Sequence, residues 1–225
     1  MNRLGLLMVG LFVVGVLVNG AIRTRGVNVV TKLPDPTLDE ARMQMGTSRQ
    51  ESIVLAGGCF WGLQSVYRHI NGVTQVTAGY SGGTVKDPNY EEVSSGSTGH
   101  AESVEIIYDP SIVTLGQLLK VFFSVAHNPT QMNRQGPDSG TQYRSAIFTS
   151  NPEQHRIAQA YVDQLNASRV FSGPIVTQIA PLWAFYTAEE YHQNYAEQHP
   201  DETYIQCFDL PKVKHLKEQF PELYH

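Results

Sequence analysis

The chain has 225 residues, with 16 Lys and Arg against 21 Asp and Glu for a formal charge of −5; apolar residues make up 41% and there are 19 glycines. This composition excludes a disordered chain or a collagen, and two cysteines exclude a disulfide framework or a four-cysteine zinc site. The acidic balance shows no basic stripe, so no nucleic-acid partner is expected, and eight dispersed histidines without a metal-binding spacing predict no metal site.

In chain order, Arg3 precedes an apolar run over 4–18, interrupted only by Gly5, Gly10 and Gly15. One positive charge followed by such a run matches a secretory signal, and it falls short of the ~20 apolar residues of a full span. Val18 and Gly20 are the best small pair for cleavage. Residues 1–21 therefore read as a signal peptide or an uncleaved N-terminal membrane anchor. Either version predicts an exported domain, periplasmic or membrane-anchored outside the cytoplasm, touching the membrane only through this segment. Residues 22–50, polar and carrying Pro34 and Pro36, read as a tether in which 38–45 has short-helix character. Residues 51–225 form one domain.

Within it, 52–56 is a short apolar strand ending at Gly57-Gly58, and 59–69 has helical apolar spacing. After the Asn71-Gly72 turn, 73–80 alternates as a strand. An irregular stretch, 81–100, leads to a strand over 101–108, and Thr114 caps a helix over 115–126. A second irregular stretch, 127–142, precedes a strand over 143–148. Asn151-Pro152 opens a long helix to about 168. A fifth strand is expected over 175–180, a helix over 187–198 from the capping-box pattern at Thr187-Glu190, and a docked helix over 212–220. The order β-α-β-β-α-β predicts an α+β fold: a two-layer plait with a ferredoxin-like βαββαβ core, additional helices and a C-terminal tail.

Cys59 carries the most chemical information. It follows a strand and two glycines and stands at a helix start, where unpaired N–H groups and the helix dipole favour a thiolate, predicting a thiol below the free-cysteine range. Phe60 and Trp61 lie ~100° apart on the helix, so they cannot both face the core, and at least one should wall a pocket beside the sulfur. On the strand 101–108, Glu102 shares a face with Val104, Ile106 and Tyr108, which points it inward or leaves it solvated at the strand end. A buried carboxyl there would hold its proton near neutrality. The irregular stretches add Tyr90, Ser94, Ser95, His100, Asn133, Asp138, Gln142 and Tyr143. Cys207 is the only other thiol.

Gly57-Gly58-Cys59-Phe60-Trp61-Gly62, then 78–83 (Ala-Gly-Tyr-Ser-Gly-Gly), 99–102 (Gly-His-Ala-Glu), 140–145 (Gly-Thr-Gln-Tyr-Arg-Ser) and 188–193 (Ala-Glu-Glu-Tyr-His-Gln) occur in this order, and together they resemble peptide methionine sulfoxide reductases of the A family. The resemblance implies thiol-dependent reduction of methionine S-sulfoxide, protein-bound or free, through a Cys59 sulfenic acid, in repair of oxidised proteins. It implies Cys59 as nucleophile, Glu102 as proton donor, Tyr90 and Tyr143 as hydrogen-bond partners of the sulfoxide oxygen, and Phe60 and Trp61 as the methyl pocket. It gives Asp138 a supporting role. No bound cofactor is implied, only an external thiol reductant, thioredoxin-like or another dithiol. Gln64, Ser94 and Asn128 depart from residues common in the family, which often has an acid, a Cys and an Asp there. Cys207 is a candidate resolving thiol, but it comes three residues after Tyr204 with no glycine to loosen the tail, and a rigid tail would hold it away from Cys59 or bury it.

Two other readings compete. A papain-like hydrolase would pair Cys59 with His192, 133 residues on, beside Asn194. A non-enzymatic exported binding domain would join Cys59 and Cys207 in a structural disulfide.

Overall fold

The computed structural model describes residues 32–41 and 50–225. The expected signal or anchor over 1–21 lies outside the described residues. Residues 32–225 form one compact unit.

The described part of the expected tether, 32–41, is held to the domain. Leu33 is buried in the core. The Tyr161 hydroxyl donates to the Pro34 carbonyl at 2.9 Å, and Asp35 pairs with Lys120 at 2.5 Å. Residues 38–41 are not helical.

The chain then builds β1 (Glu51–Gly57), α1 (Phe60–Arg68), β2 (Val73–Ser81), a short α2 (Tyr90–Ser94), β3 (Ala101–Tyr108) and α3 (Leu115–Val121). The helix expected to run straight through 126 changes to a π-helical turn at Phe122–Ala126. The irregular stretch 127–142 contains a hairpin of β4 (Arg134–Gln135) and β5 (Asp138–Ser139). Then come β6 (Ser145–Thr149), α4 (Pro152–Ser168), β7 (Gln178–Pro181), β8 (Phe185–Thr187), α5 (Tyr195–Gln198) and α6 (Leu210–Gln219).

One sheet takes the order β7-β6-β1-β3-β2-β8. Its neighbours are antiparallel except β6 and β7, which are parallel. Alternation divides its side chains. Ile53 and Leu55 of β1, Val104 and Ile106 of β3 and Ile147 of β6 enter the main core with residues of α1, α3 and α4. Val54, Ala56, Ala101, Ala146 and Phe148 form a smaller cluster, packed against Leu182 and Phe185. The sheet is thus apolar on both faces, as period-2 alternation with two covered sides requires.

The helix expected over 187–198 is not formed. Thr187 pairs with Gly79 as part of β8, and the Ala188 N–H continues to the Ala78 carbonyl at 2.9 Å. A free sheet edge at β2 outcompetes a local capping box, and only a 3₁₀ turn (Glu190–His192) and the four residues of α5 remain helical. The fifth strand starts later than expected, at Gln178, because the Val176 N–H is taken by the Pro129 carbonyl at 2.9 Å.

Residues 32–41 also cap α3. The Thr114–Gln117 capping box is joined by Asp39, which accepts from the Gly116 N–H at 2.8 Å, and Glu40, which accepts from the Leu115 N–H at 2.7 Å. Two carboxylates on unpaired N–H groups at a helix start are favourable. Asp39→Ala is expected to cost about 1 kcal/mol in urea unfolding, the usual loss of a cap. An unchanged midpoint would mean that the segment does not bear on the domain.

Candidate active site

Four strand ends meet at one edge of the sheet: the C-terminal ends of β1 and β2 and the N-terminal ends of β3 and β6. β1 stops at Gly57, and Gly58 turns the chain with φ +96°, a conformation suited to glycine. A Cβ on Gly58 would also lie 2.6 Å from the Gln135 side chain, so the hairpin loop packs directly on the turn. Cys59 follows as the N-cap of α1, with its side chain making no cap hydrogen bond.

Cys59 is 8% exposed. Burial pushes its thiol well above the ordinary range, the charges of Glu102 and Asp209 push it further, and a backbone hydrogen bond from Trp61 and the Lys212 ammonium act against them. The expectation of a lowered thiol is therefore overturned. A helix start offers a partial positive charge, and here desolvation and two carboxyl groups outweigh it.

Glu102 points inward, as one-face alternation suggested, and is 2% exposed. Its Oε2 accepts from the Phe60 N–H, the first amide of α1, at 3.1 Å. Burial raises its carboxyl to about 8, against the Phe60 hydrogen bond, with Asp138 and Asp209 adding to the rise. At neutral pH this is a protonated acid beside the residue that follows Cys59.

Phe60 is fully buried and packs against Tyr80 and His192, at ring separations of 5.9 and 5.0 Å. Trp61 is only partly buried. It stacks on Tyr195 at 3.9 Å and meets Tyr204 edge-on at 6.2 Å. The two aromatics thus divide as their spacing requires, one into the core and one at the wall. Tyr90 opens α2 behind an Asn89 capping box, and burial raises its phenol to about 12, with Glu102 adding to the rise. Tyr143 stands in the 3₁₀ turn Thr141–Tyr143, its phenol raised by burial and then by the Glu102, Tyr90 and Asp138 charges. Both hydroxyls keep their protons at neutral pH. Asp138 Oδ2 accepts from the Tyr204 hydroxyl at 2.5 Å. The structure thus gathers Cys59, Glu102, Tyr90, Tyr143, Phe60, Trp61 and Asp138 about one edge of the sheet.

Other polar candidates serve the fold. His100 has both ring nitrogens engaged, Nδ1 by the Gly83 N–H at 3.0 Å and Nε2 by the Val85 carbonyl at 2.7 Å. Ser94 and Ser95 bond back to their own helix, and Gln142 donates to the Ser94 carbonyl. Among the described residues no group of His, Cys, Asp and Glu is arranged to hold a metal ion.

Three residues at the site were assigned no role in the reduction from the sequence. His192 Nδ1 accepts from the Trp61 indole N–H at 3.3 Å, which places the proton on Nε2, a buried atom without a partner. Its ring lies 4.4 Å from that of Tyr90. Burial lowers its proton affinity against the Glu189 carboxylate, so the imidazole is neutral. Tyr195 and Tyr204 flank Trp61. The motif at 188–193 was the available signal for His192. With its Nδ1 held by Trp61, His192 is not arranged as the base of a papain-like pair. Cys59 and Cys207 are both free, the first buried and the second exposed, and the disulfide of the binding-domain reading is not formed in this structure. Cys207 is exposed on the π-helical turn Ile205–Asp209, not buried as a rigid tail would have it.

The peptide methionine sulfoxide reductase family model matches residues 51–223. The chain is similar to peptide methionine sulfoxide reductase MsrA 2 of Mesorhizobium japonicum, 58% identical over 174 residues that cover 77% of this chain and 89% of that protein. It is also similar to peptide methionine sulfoxide reductase MsrA 2 of Synechocystis, 49% identical over 190 residues that cover 84% and 89%. Among solved structures it resembles Mxr1 of Saccharomyces cerevisiae in reduced form, with a TM-score of 0.63 and 34% identity over 71% of this chain and 91% of that one. Methionine sulfoxide reductase A of Corynebacterium diphtheriae gives 0.59 and 38% over 78% and 86%. The chain shares a mixed α/β fold with both.

Proposed function

The chain belongs to the peptide methionine sulfoxide reductase family, of the A type, and from that membership we propose how its residues perform the reduction. It is an oxidoreductase, a peptide-methionine (S)-S-oxide reductase that uses thiols. The observation that carries the residue-level reading is the buried Glu102, hydrogen-bonded to the N–H of the residue next to Cys59, whose carboxyl burial raises to about 8.

In this reading Sγ of Cys59 attacks the sulfoxide sulfur. The sulfoxide oxygen takes a proton from Glu102 and passes to Sγ as the S–O bond and the transient bond between the two sulfurs break, which leaves Cys59 as a sulfenic acid and releases the thioether with the electron pair. The thiol proton returns Glu102 to its neutral form, so protons balance over the step. Oxygen is a poor leaving group without protonation, and a placed acid is worth ~10²–10⁴ in rate. The neutral Tyr90 and Tyr143 hydroxyls orient the oxygen, and Asp138, through Tyr204, fixes the wall beside Trp61. The sulfenic acid is then reduced by two external thiol equivalents, with water as the other product. We assign that reduction to an external dithiol acting directly, because the helical turn that carries Cys207 is held in place on either side by the Tyr204–Asp138 and Lys212–Asp209 hydrogen bonds. The plait assignment for the fold rests on the antiparallel order β6-β1-β3-β2 and its two helical crossovers.

The asymmetric wall is expected to give one-epimer action. The enzyme should consume the S epimer of a racemic methionine sulfoxide peptide and leave about half of the material, as chiral chromatography would show. Loss of both epimers at similar rates would remove the pocket assigned to Phe60 and Trp61. Export of the domain is supported by the apolar run after Arg3. N-terminal sequencing of protein purified from the outer compartment should begin near residue 22 if the segment is cleaved, or at residue 1 if it anchors. Recovery of the whole protein from the cytosol would contradict both.

A further inference from the structure

The tail rests a buried ion pair on the first turn of α1. Asp209 ends the turn Ile205–Asp209 and is 0% exposed. Its Oδ1 accepts from Lys212 Nζ of α6 at 3.2 Å, and its Oδ2 is buried without a partner. Gly62 makes the approach possible, because a Cβ there would lie 2.1 Å from Asp209 Oδ1 and 2.6 Å from Lys212 Nζ. Gly62 is three residues after Cys59, so the two share one side of the helix about one turn apart. A glycine inside a helix and a half-satisfied buried carboxylate both cost stability, which an apolar contact at the same place would not.

We propose that the Asp209–Lys212 pair is a positioning device for Cys59, its two opposed charges on the first turn of α1 setting how readily the sulfur gives up its proton. The inference rests on Cys59 being the nucleophile. Lys212 favours the thiolate, whereas Asp209 and, from β3, Glu102 favour the thiol. Tyr90, Tyr143 and Tyr204 would oppose the thiolate if ionised, but all three phenols are raised and stay neutral. Burial raises the Asp209 carboxyl, Lys212 acts against that rise, and Asp138 and Glu197 add to it. His127, within reach of Lys212, is neutral, its proton affinity lowered by burial to about 3. Lys212 is therefore the cation that balances this cluster, and the tail that carries Cys207 also sets the proton balance of Cys59.

The charges predict opposite effects from removing either partner. Alkylation of Cys59 by iodoacetamide, followed by peptide mapping across pH, reads the thiolate directly and needs no turnover, so its failure is separable from failure of the reductase reading. At pH 8, Lys212→Met should slow alkylation about threefold or more and Asp209→Asn should speed it by a similar factor, each with its midpoint moved accordingly. Asp209 also raises the Glu102 carboxyl, so its removal leaves Glu102 more ionised and offsets part of the gain, which makes Lys212→Met the deciding arm. Lys212→Arg keeps the charge and should keep the wild-type midpoint. The sign of Lys212→Met is decisive alone, so the test survives misfolding of Asp209→Asn. A shift toward faster alkylation, no shift, or an equal shift in Lys212→Arg would make the pair a packing feature and overturn the proposal.

Discussion

Cys59→Ser is expected to abolish sulfoxide reduction, lowering turnover by about 10⁴-fold or more, the range seen when a nucleophile is removed. The fold should survive. Cys59 is the N-cap of α1, and serine is among the preferred residues there. Gly57 and Gly58 set the turn before it, and the substitution touches neither. Stopped assays by amino-acid analysis, with a thermal melt of the same sample, separate loss of chemistry from loss of structure. Turnover within tenfold of wild type in a folded variant would move the nucleophile elsewhere.

Glu102→Gln should lower turnover by about 10²–10⁴-fold, with the melt preserved at neutral pH, because the amide can still accept from the Phe60 N–H but offers no acidic proton. The same variant predicts a change in stability against pH. The Glu102 carboxyl is raised from 4.5 to about 8 on folding. The folded state therefore holds a proton that the unfolded state has lost, and stability falls as pH rises from about 4.5 through about 8. A shift of that size is worth about 5 kcal/mol at full burial. The amide that replaces the carboxyl does not titrate, so in urea melts the variant should gain on wild type progressively between about pH 4.5 and about 8 and hold the full gain above that. Equal profiles would mean that Glu102 is solvated in solution, and wild-type rates would assign the acid elsewhere.

Much of this site was legible because its signals are local. A strand, two glycines and a cysteine at a helix start place Cys59 whatever surrounds it, while the one-face alternation of Glu102 with Val104, Ile106 and Tyr108 left the carboxyl inward or solvated, and the packing of the strand end decides for inward. The larger strands and helices up to residue 168 follow from the same periodicities, but α2 and the β4–β5 hairpin fall in stretches that read as irregular. Non-local competition defeated the rest. The Thr187–Glu190 pattern is a sound capping box in isolation, but residues 185–187 complete an open sheet edge. Glu189, which would have belonged to the new helix, accepts from the Tyr80 hydroxyl and the Tyr90 N–H instead. The proton affinity of Cys59 could not be read locally, because it is decided by burial and by Glu102 and Asp209, 43 and 150 residues away in sequence. Tyr204 and His192 are in the same position: each is an ordinary residue until the fold sets it against Trp61.

The central claim is that Cys59 takes the oxygen from the sulfoxide. The direct test is a single turnover without reductant, using one equivalent of a peptide S-sulfoxide labelled with heavy oxygen, trapping with dimedone, and mapping the modified peptide by mass spectrometry. The account predicts one equivalent of methionine peptide, the labelled oxygen on Cys59 before trapping, a dimedone adduct at Cys59 and an unmodified Cys207. Methionine formed with the label on another residue or lost to water with Cys59 unmodified would contradict it, while a Cys59–Cys207 disulfide would keep the nucleophile and overturn the direct external reduction assigned to the second step.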